Sequence, residues 1–234
     1  MQQRISDQAA FILHRRDYQN SSLILELFTE DFGRLSVLAK GARSRRDAAH
    51  FQIANRLAVG WSGRSELKTL TEIDSRPLPI PADCYVAVFY INELLLYLLA
   101  KQDPHPQLFQ YYQRLLLQLE KESLESQLRG FEMDLLTTQG LMPDLSCESQ
   151  SAQPLIEDAF YRVHPQSGVV ISSAQEAGSI VGRDLDAIAR RQFDSTKVRK
   201  SAKQLLRQII DFNLQGRTLQ SRQFYQQLSS KKPT

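Results

Sequence analysis

Leu23-Ile24-Leu25-Glu26-Leu27-Phe28-Thr29-Glu30-Asp31-Phe32-Gly33-Arg34-Leu35-Ser36-Val37-Leu38-Ala39-Lys40 reads as two strands joined by a tight turn. Leu23, Leu25 and Leu27 alternate with Ile24, Glu26 and Phe28, and Leu35, Val37 and Ala39 alternate with Ser36, Leu38 and Lys40. A period of two is the signature of sheet. Glu30-Asp31-Phe32-Gly33 lies between the runs, and Gly33 supplies a residue that tolerates positive φ. Working outward, Ala10–Arg15 is a strand candidate before this pair. Ala54–Trp61 and Glu66–Asp74 follow it, separated by the turn Ser62-Gly63-Arg64-Ser65. Five short strands in about 75 residues predict a small barrel. The stretch Gly41–His50, with Arg43, Arg45 and Arg46, is too polar for a core and is predicted to be an exposed loop.

Arg76-Pro77-Leu78-Pro79-Ile80-Pro81 marks a change of character. Such a density of proline favours an extended linker over a strand ladder. Helical patterns then take over. Ala82–Ala100 is apolar on nearly every face and predicts a buried helix, with Pro104 and Pro106 ending the region. Leu108–Glu120 and Leu124–Gln139 predict two more helices, with Gly140 at the C-terminal stop. Residues 141–177 are irregular, apart from a small hairpin of Tyr161–Val163 with Val169–Ile171 across His164–Gly168. Helices are predicted again over Arg183–Arg191, Ser195–Asn213 and Ser221–Leu228. The long one turns Val198, Leu205, Leu206, Ile209 and Phe212 inward. The expectation is an α+β protein with a five-stranded barrel domain over residues 1–78. A helical domain over residues 82–234 follows, with an irregular insert near 141–177.

The 234 residues, 42% hydrophobic and 24% charged, are enough for a folded core and argue against disorder. Two cysteines exclude a disulfide scaffold. The N-terminus carries no apolar signal core. The most apolar span, Cys84–Ala100, is interrupted by Asn92 and Glu93, so a cytoplasmic protein without a membrane span is expected. The overall charge of +3 conceals a segregation: +3 over residues 1–80, −9 over 81–189 and +9 over 190–234. Two basic zones flanking an acidic middle suit a polyanion partner, of which nucleic acid is the commonest.

Catalytic signatures are missing. There is no G-x-x-x-x-G-K-[ST] phosphate loop. Gly60-Trp61-Ser62-Gly63-Arg64 has Arg64 where a nucleophile elbow needs glycine. His14, His50, His105 and His164 are scattered, and Asp184 and Asp186 point to different sides of a helix. Cys84 and Cys147 form no C-x-x-C pair. The sequence predicts a non-enzyme with no cofactor and no metal.

Several motifs carry a family likeness. They are Leu13, Arg15 or Arg16, Tyr18, Ser21-Ser22, Phe28-Thr29, Gly33-Arg34 and, most specifically, Ala39-Lys40-Gly41-Ala42-Arg43 after a strand. Further along come Glu66–Leu70, Tyr90–Leu95, Leu128–Glu132 and Gly140–Pro143. In this order they resemble the RecO family of recombination mediators over most of the chain. The resemblance implies an N-terminal OB-fold and a helical C-terminal domain. It implies binding of single- and double-stranded DNA, annealing, partnership with RecR and with the acidic tail of single-stranded DNA-binding protein, and loading of RecA, all in a bacterial, nucleoid-associated setting. Many members carry a four-cysteine zinc site in the irregular region. Here Cys147 stands alone, which resembles the metal-free branch.

The resemblance and the charge cluster together nominate Arg34, Lys40, Arg43, Arg45, Arg46 and Lys68 as phosphate contacts. Arg199, Lys200, Lys203 and Arg207 form a second patch. The partner's tail, acidic and ending in an apolar residue, calls for an apolar pocket with a cation at its lip. Leu128, Arg129, Phe131 and Leu135 on one helix, and Arg183 opening another, are the candidates. An adaptor whose barrel binds protein and whose basic tail only solubilises is the alternative.

Overall fold

The computed structural model describes residues 4–43 and 48–230. The chain forms two compact units: residues 1–121 with 219–234, and residues 122–218.

The first unit is built on a closed five-stranded barrel of β1 (Arg4–Tyr18), β2 (Ser22–Thr29), β3 (Gly33–Ala39), β4 (Asn55–Ser62) and β5 (Leu67–Pro77). Its order is β1-β2-β3-β5-β4, with β4 returning to β1 and a parallel β3–β5 pair at Ser36↔Leu67. This is the topology of an OB-fold. β1 is longer than the predicted Ala10–Arg15 because it serves both β2 and β4. Register shifts between Ile5 and Gln8 and between Ile12 and His14 let it bend around the barrel. β5 reaches Pro77, opposite Asn55, a strand-terminal position that a proline can occupy. Ile12, Leu25, Leu27, Val37, Leu57 and Trp61 fill the interior.

Part of the outer face of the barrel, around Phe11 and Phe28, is also apolar, and helices cover it. After a 3-10 turn at Ala82–Cys84 come α1 (Tyr85–Leu98) and α2 (Pro106–Gln118), and the chain returns to this unit with α6 (Gln220–Ser230). The composition boundary at 76–81 therefore differs from the packing boundary, since α1 and α2 pack with the barrel. Pro106 opens α2 instead of closing the region before it; its missing N–H costs nothing in the first turn. Phe11 and Phe28, facing each other across β1 and β2, meet Phe109 and Tyr112 of α2 with ring centroids 5.1–6.1 Å apart. The two polar residues inside α1 have structural work. The Asn92 side chain donates to the Leu13 carbonyl at 3.2 Å and accepts the Tyr112 hydroxyl at 2.6 Å, and burial raises the Tyr112 pKa. The Glu93 carboxylate accepts the Gln220 and Ser221 amides and the Ser221 hydroxyl, which fixes the N-terminus of α6.

Gly33 has φ +65°, and a Cβ there would lie 2.1 Å from the Asp103 carbonyl oxygen. The chain after α1 is pinned against β3 by the Gln102 amide donating to the Arg34 carbonyl at 2.8 Å. Gly33→Ala is expected to lower stability by at least about 2 kcal/mol, combining left-handed strain with a backbone collision. Denaturant titration measures it, as a lower midpoint with unchanged slope.

The second unit contains α3 (Leu124–Thr138), β6 (Phe160–His164), β7 (Gly168–Ser172), β8 (Ile180–Val181), α4 (Gly182–Ala189) and α5 (Thr196–Asn213). The expected hairpin is β6–β7, with β8 added at the other edge of β6. Gly140, at φ +64°, follows the end of α3 as predicted. On α5, Val198, Leu205, Leu206 and Ile209 are buried, but Phe212 is 48% exposed. The buried arc is centred on Ala202, Leu206 and Ile209, which leaves Phe212 at its edge in the last turn and buries Ile210 instead. Among the described residues, no helix is long and apolar enough to cross a membrane.

Candidate nucleic-acid interface

The β1–β2 turn, the end of β3, the start of β4 and the end of β5 are tied together by the β3–β4 loop. The Arg43 amide donates to the Ser21 carbonyl at 3.1 Å, joining the loop to the β1–β2 turn. His50 Nδ1 lies 2.9 Å from the Ser75 hydroxyl, joining the loop to β5. Buried Ala42 and Phe51 peg the two ends of the loop into the barrel. The surface so formed exposes Arg16, Lys40, Arg43, Arg56 and Arg76. Arg56 and Arg76 stand directly opposite each other across β4 and β5. Like charges in register destabilise a sheet unless an anion relieves them. Arg43 is half-exposed, 3.4 Å from an Asp17 carboxylate oxygen and from the Gln19 carbonyl it donates to. Arg15 donates to the Phe51 carbonyl at 2.7 Å. Arg45 and Arg46 lie outside the described residues.

The structure separates the remaining predicted barrel cations from this surface. Arg34 is largely buried: its guanidinium meets Glu26 at 3.2 Å and donates to the Leu99 carbonyl, so it joins the barrel to the end of α1. Lys68, half-buried at the start of β5, lines a small cavity of about 200 Å³ with Asp31, Phe32 and Trp61. Phe51 and Trp61 belong to the barrel core, with Phe32 edge-on to Trp61 at 5.2 Å. Arg16, Arg56 and Arg76 are not among the phosphate contacts nominated from the sequence. Only strand pairing brings them together with the loop.

In the second unit, the α5 patch is largely committed to internal contacts. Arg199 donates to the Phe193 and Asp194 carbonyls, both at 2.7 Å. Lys203 meets Glu125 at 3.4 Å, and Arg207 meets Asp211 at 3.5 Å. Lys200 is exposed. The predicted tail pocket is not a groove here. Phe131 and Leu135 are core residues, Leu128 is half-buried, and the Arg129 guanidinium is buried 2.8 Å from the fully buried Glu132 carboxylate. Arg183 is exposed and meets Asp158 at 2.7 Å.

The irregular region is organised by carboxylates. An Asp144 oxygen accepts the Ser146 amide at 2.8 Å and hydroxyl at 2.7 Å. Glu148 accepts the Gln150 and Ser151 amides. Cys147 is half-buried, not fully buried as a structural thiol would be, with its Sγ 3.8 Å from Asp144. A four-cysteine zinc site does not fit these residues. Among the described residues no group of three metal-ligating side chains comes together. The hydrogen bonds hold the Asp144 and Glu148 carboxyls below their usual range, and those from Ser172 and Arg162 do the same for Glu176. A depressed folded-state pKa stabilises fully above the unfolded value, near 4, and that contribution is lost as pH falls through the folded value. Amide protection around these carboxylates is therefore expected to be full at pH 6 and to weaken as the pH falls below about 4. Hydrogen exchange at the two pH values, compared at matched intrinsic rates, checks this.

Comparison with known proteins adds to this geometry. Residues 1–76 match the family model Recombination protein O N terminal, and residues 83–223 match Recombination protein O C terminal. The chain is similar to the DNA repair protein RecO of Methylococcus capsulatus, 40% identical over 225 residues that cover 94% of this chain and 93% of that one. It is 38% identical to the DNA repair protein RecO of Pasteurella multocida, covering 94% of each chain. It is 36% identical to that of Haemophilus influenzae, covering 94% and 95%.

Proposed function

Because the chain belongs to the RecO family of DNA repair proteins, we propose that it acts as a recombination mediator. It binds single- and double-stranded DNA, anneals complementary strands and, with RecR, helps load RecA onto strands coated by single-stranded DNA-binding protein. It does this by binding alone, without turnover. The observation that carries the reading is the basic end of the OB-fold barrel, where Arg56 and Arg76 face each other and the loop adds Lys40 and Arg43. Arg45 and Arg46 extend the same loop in sequence. Cations presented this way grip phosphates without reading bases, which is what annealing of any complementary pair requires. For the partner's tail, the exposed Arg183 supports docking better than the buried Arg129.

Strand annealing is the test. The protein is expected to accelerate pairing of complementary strands of unrelated sequences equally, and to do so on strands coated with the cognate single-stranded DNA-binding protein. Uncatalysed rates on both naked and coated strands would contradict the proposal.

A further inference from the structure

Beside the basic end of the barrel, the first unit contains a cleft of about 950 Å³ between α1, α6 and the outer face of β1. Its walls carry exposed aromatic rings: Tyr85 and Phe89, one turn apart on α1, and Phe224 on α6, 37%, 43% and 49% exposed. A soluble surface leaves large aromatic side chains clustered and uncovered when they have something to bind. The cleft is held open by the packing already described. Glu93 fixes the start of α6, and the Arg222 guanidinium lies 5.6 Å from the Tyr90 ring centroid, so α6 is fastened to α1 while Phe224 remains uncovered.

The charges around the rings select the occupant. Glu93 spends its carboxylate on the α6 amides, and Arg34 is matched by Glu26. Arg15 also lines the cleft, adjoining Arg16. Gln52 and Ile53, from the same loop that carries Arg43, line it too. The cleft thus presents rings on its helical walls and, beside the loop, the Arg15 guanidinium, which donates to the Phe51 carbonyl. Aromatic faces next to a cationic track suit unpaired bases, because every base has a face that stacks and every nucleotide has a phosphate.

We propose that this cleft is a base-stacking site for single-stranded DNA, receiving unpaired nucleobases of a strand whose phosphates lie on the basic end of the barrel. The inference rests on the DNA-binding reading above and adds a distinction to it. Duplex DNA, whose bases are stacked inside the helix, engages the cations alone, whereas a single strand engages cations and rings.

Three labelled probes test it by fluorescence anisotropy: an oligo-dT strand, an abasic strand of equal length, and a duplex. Wild-type protein is expected to bind the dT strand about tenfold more tightly than the abasic one. In F89A/F224A that preference disappears, while duplex affinity and its salt dependence are unchanged; F89W/F224W retains the preference. If F89A/F224A melts early, Tyr85→Ala, at the first residue of α1, takes its place. Equal wild-type affinity for dT and abasic strands overturns the proposal, as does an intact variant that keeps the preference. Either result leaves the cleft to an apolar segment of a partner protein. Failure of the wild type to bind all three probes is a different result, and it refutes the DNA-binding reading itself.

Discussion

Replacing Lys40, Arg43, Arg56 and Arg76 together by alanine is expected to weaken DNA binding roughly hundredfold near physiological salt and to reduce the dependence on salt. Each phosphate neutralised by a side chain releases condensed counterion. The slope of log K against log salt on duplex DNA should therefore become shallower by about 3 to 4. The loss should be the same for unrelated sequences, because phosphates carry no base identity. The fold should survive. All four side chains are exposed, and removing the Arg56–Arg76 juxtaposition relieves repulsion in the barrel. Arg34→Ala is the instructive contrast. Its guanidinium is spent on Glu26 and the Leu99 carbonyl, so its loss should lower the melting temperature and leave the salt slope unchanged.

Arg129→Glu is expected to unfold the second unit instead of removing a docking contact. Arg129 and Glu132 lie one turn apart on α3, both buried, with Nη2 and Oε1 2.8 Å apart. Breaking a buried ion pair from one side typically costs about 3–5 kcal/mol, because the remaining charge stays desolvated. A carboxylate in place of the guanidinium adds repulsion to that cost. Such a loss consumes much of a typical domain's stability of about 5–15 kcal/mol. Circular dichroism of the variant should show a lower helix content and a melt well below that of the wild type. Arg183→Glu, an exposed change, should leave the melt unaltered and weaken binding of the tail peptide.

The limits of the sequence reading have physical causes. Strand alternation in β2 and β3 and the turn at Gly33 follow from local chemistry and were legible. So were the β6–β7 hairpin and the stop at Gly140. Of the covering of the barrel by α1 and α2, β2 carries only a partial sign, since Ile24 and Phe28 make its second face apolar at two positions with Glu26 between them. Alternation by itself does not say which helix will lie there. Asn92 and Glu93 interrupt an apolar helix for reasons that reside some 80 and 128 residues away, in the Leu13 carbonyl and the Ser221 amide. The spacing of Arg129 and Glu132 was visible as a helical pair, but its burial depends on the packing of the second unit. The Arg56–Arg76 pair was hidden most deeply. Its register depends on a shift between Gly60 and Trp61 that no local periodicity encodes. A charge cluster counted along the chain joined Arg34 and Lys68 to a surface that barrel closure assigns to Arg16, Arg56 and Arg76 instead.

Hydrogen exchange of the intact protein, free and saturated with duplex DNA, tests the central claim most directly. The account predicts slowed exchange in the β1–β2 turn at Gln19–Ser21, in the loop segments Lys40–Arg43 and Ala48–His50, and at the ends of β4 and β5 carrying Arg56 and Arg76. Exchange along α5, Thr196–Asn213, should be unchanged. Slowing confined to α5, with the barrel end exchanging as in the free protein, would contradict it.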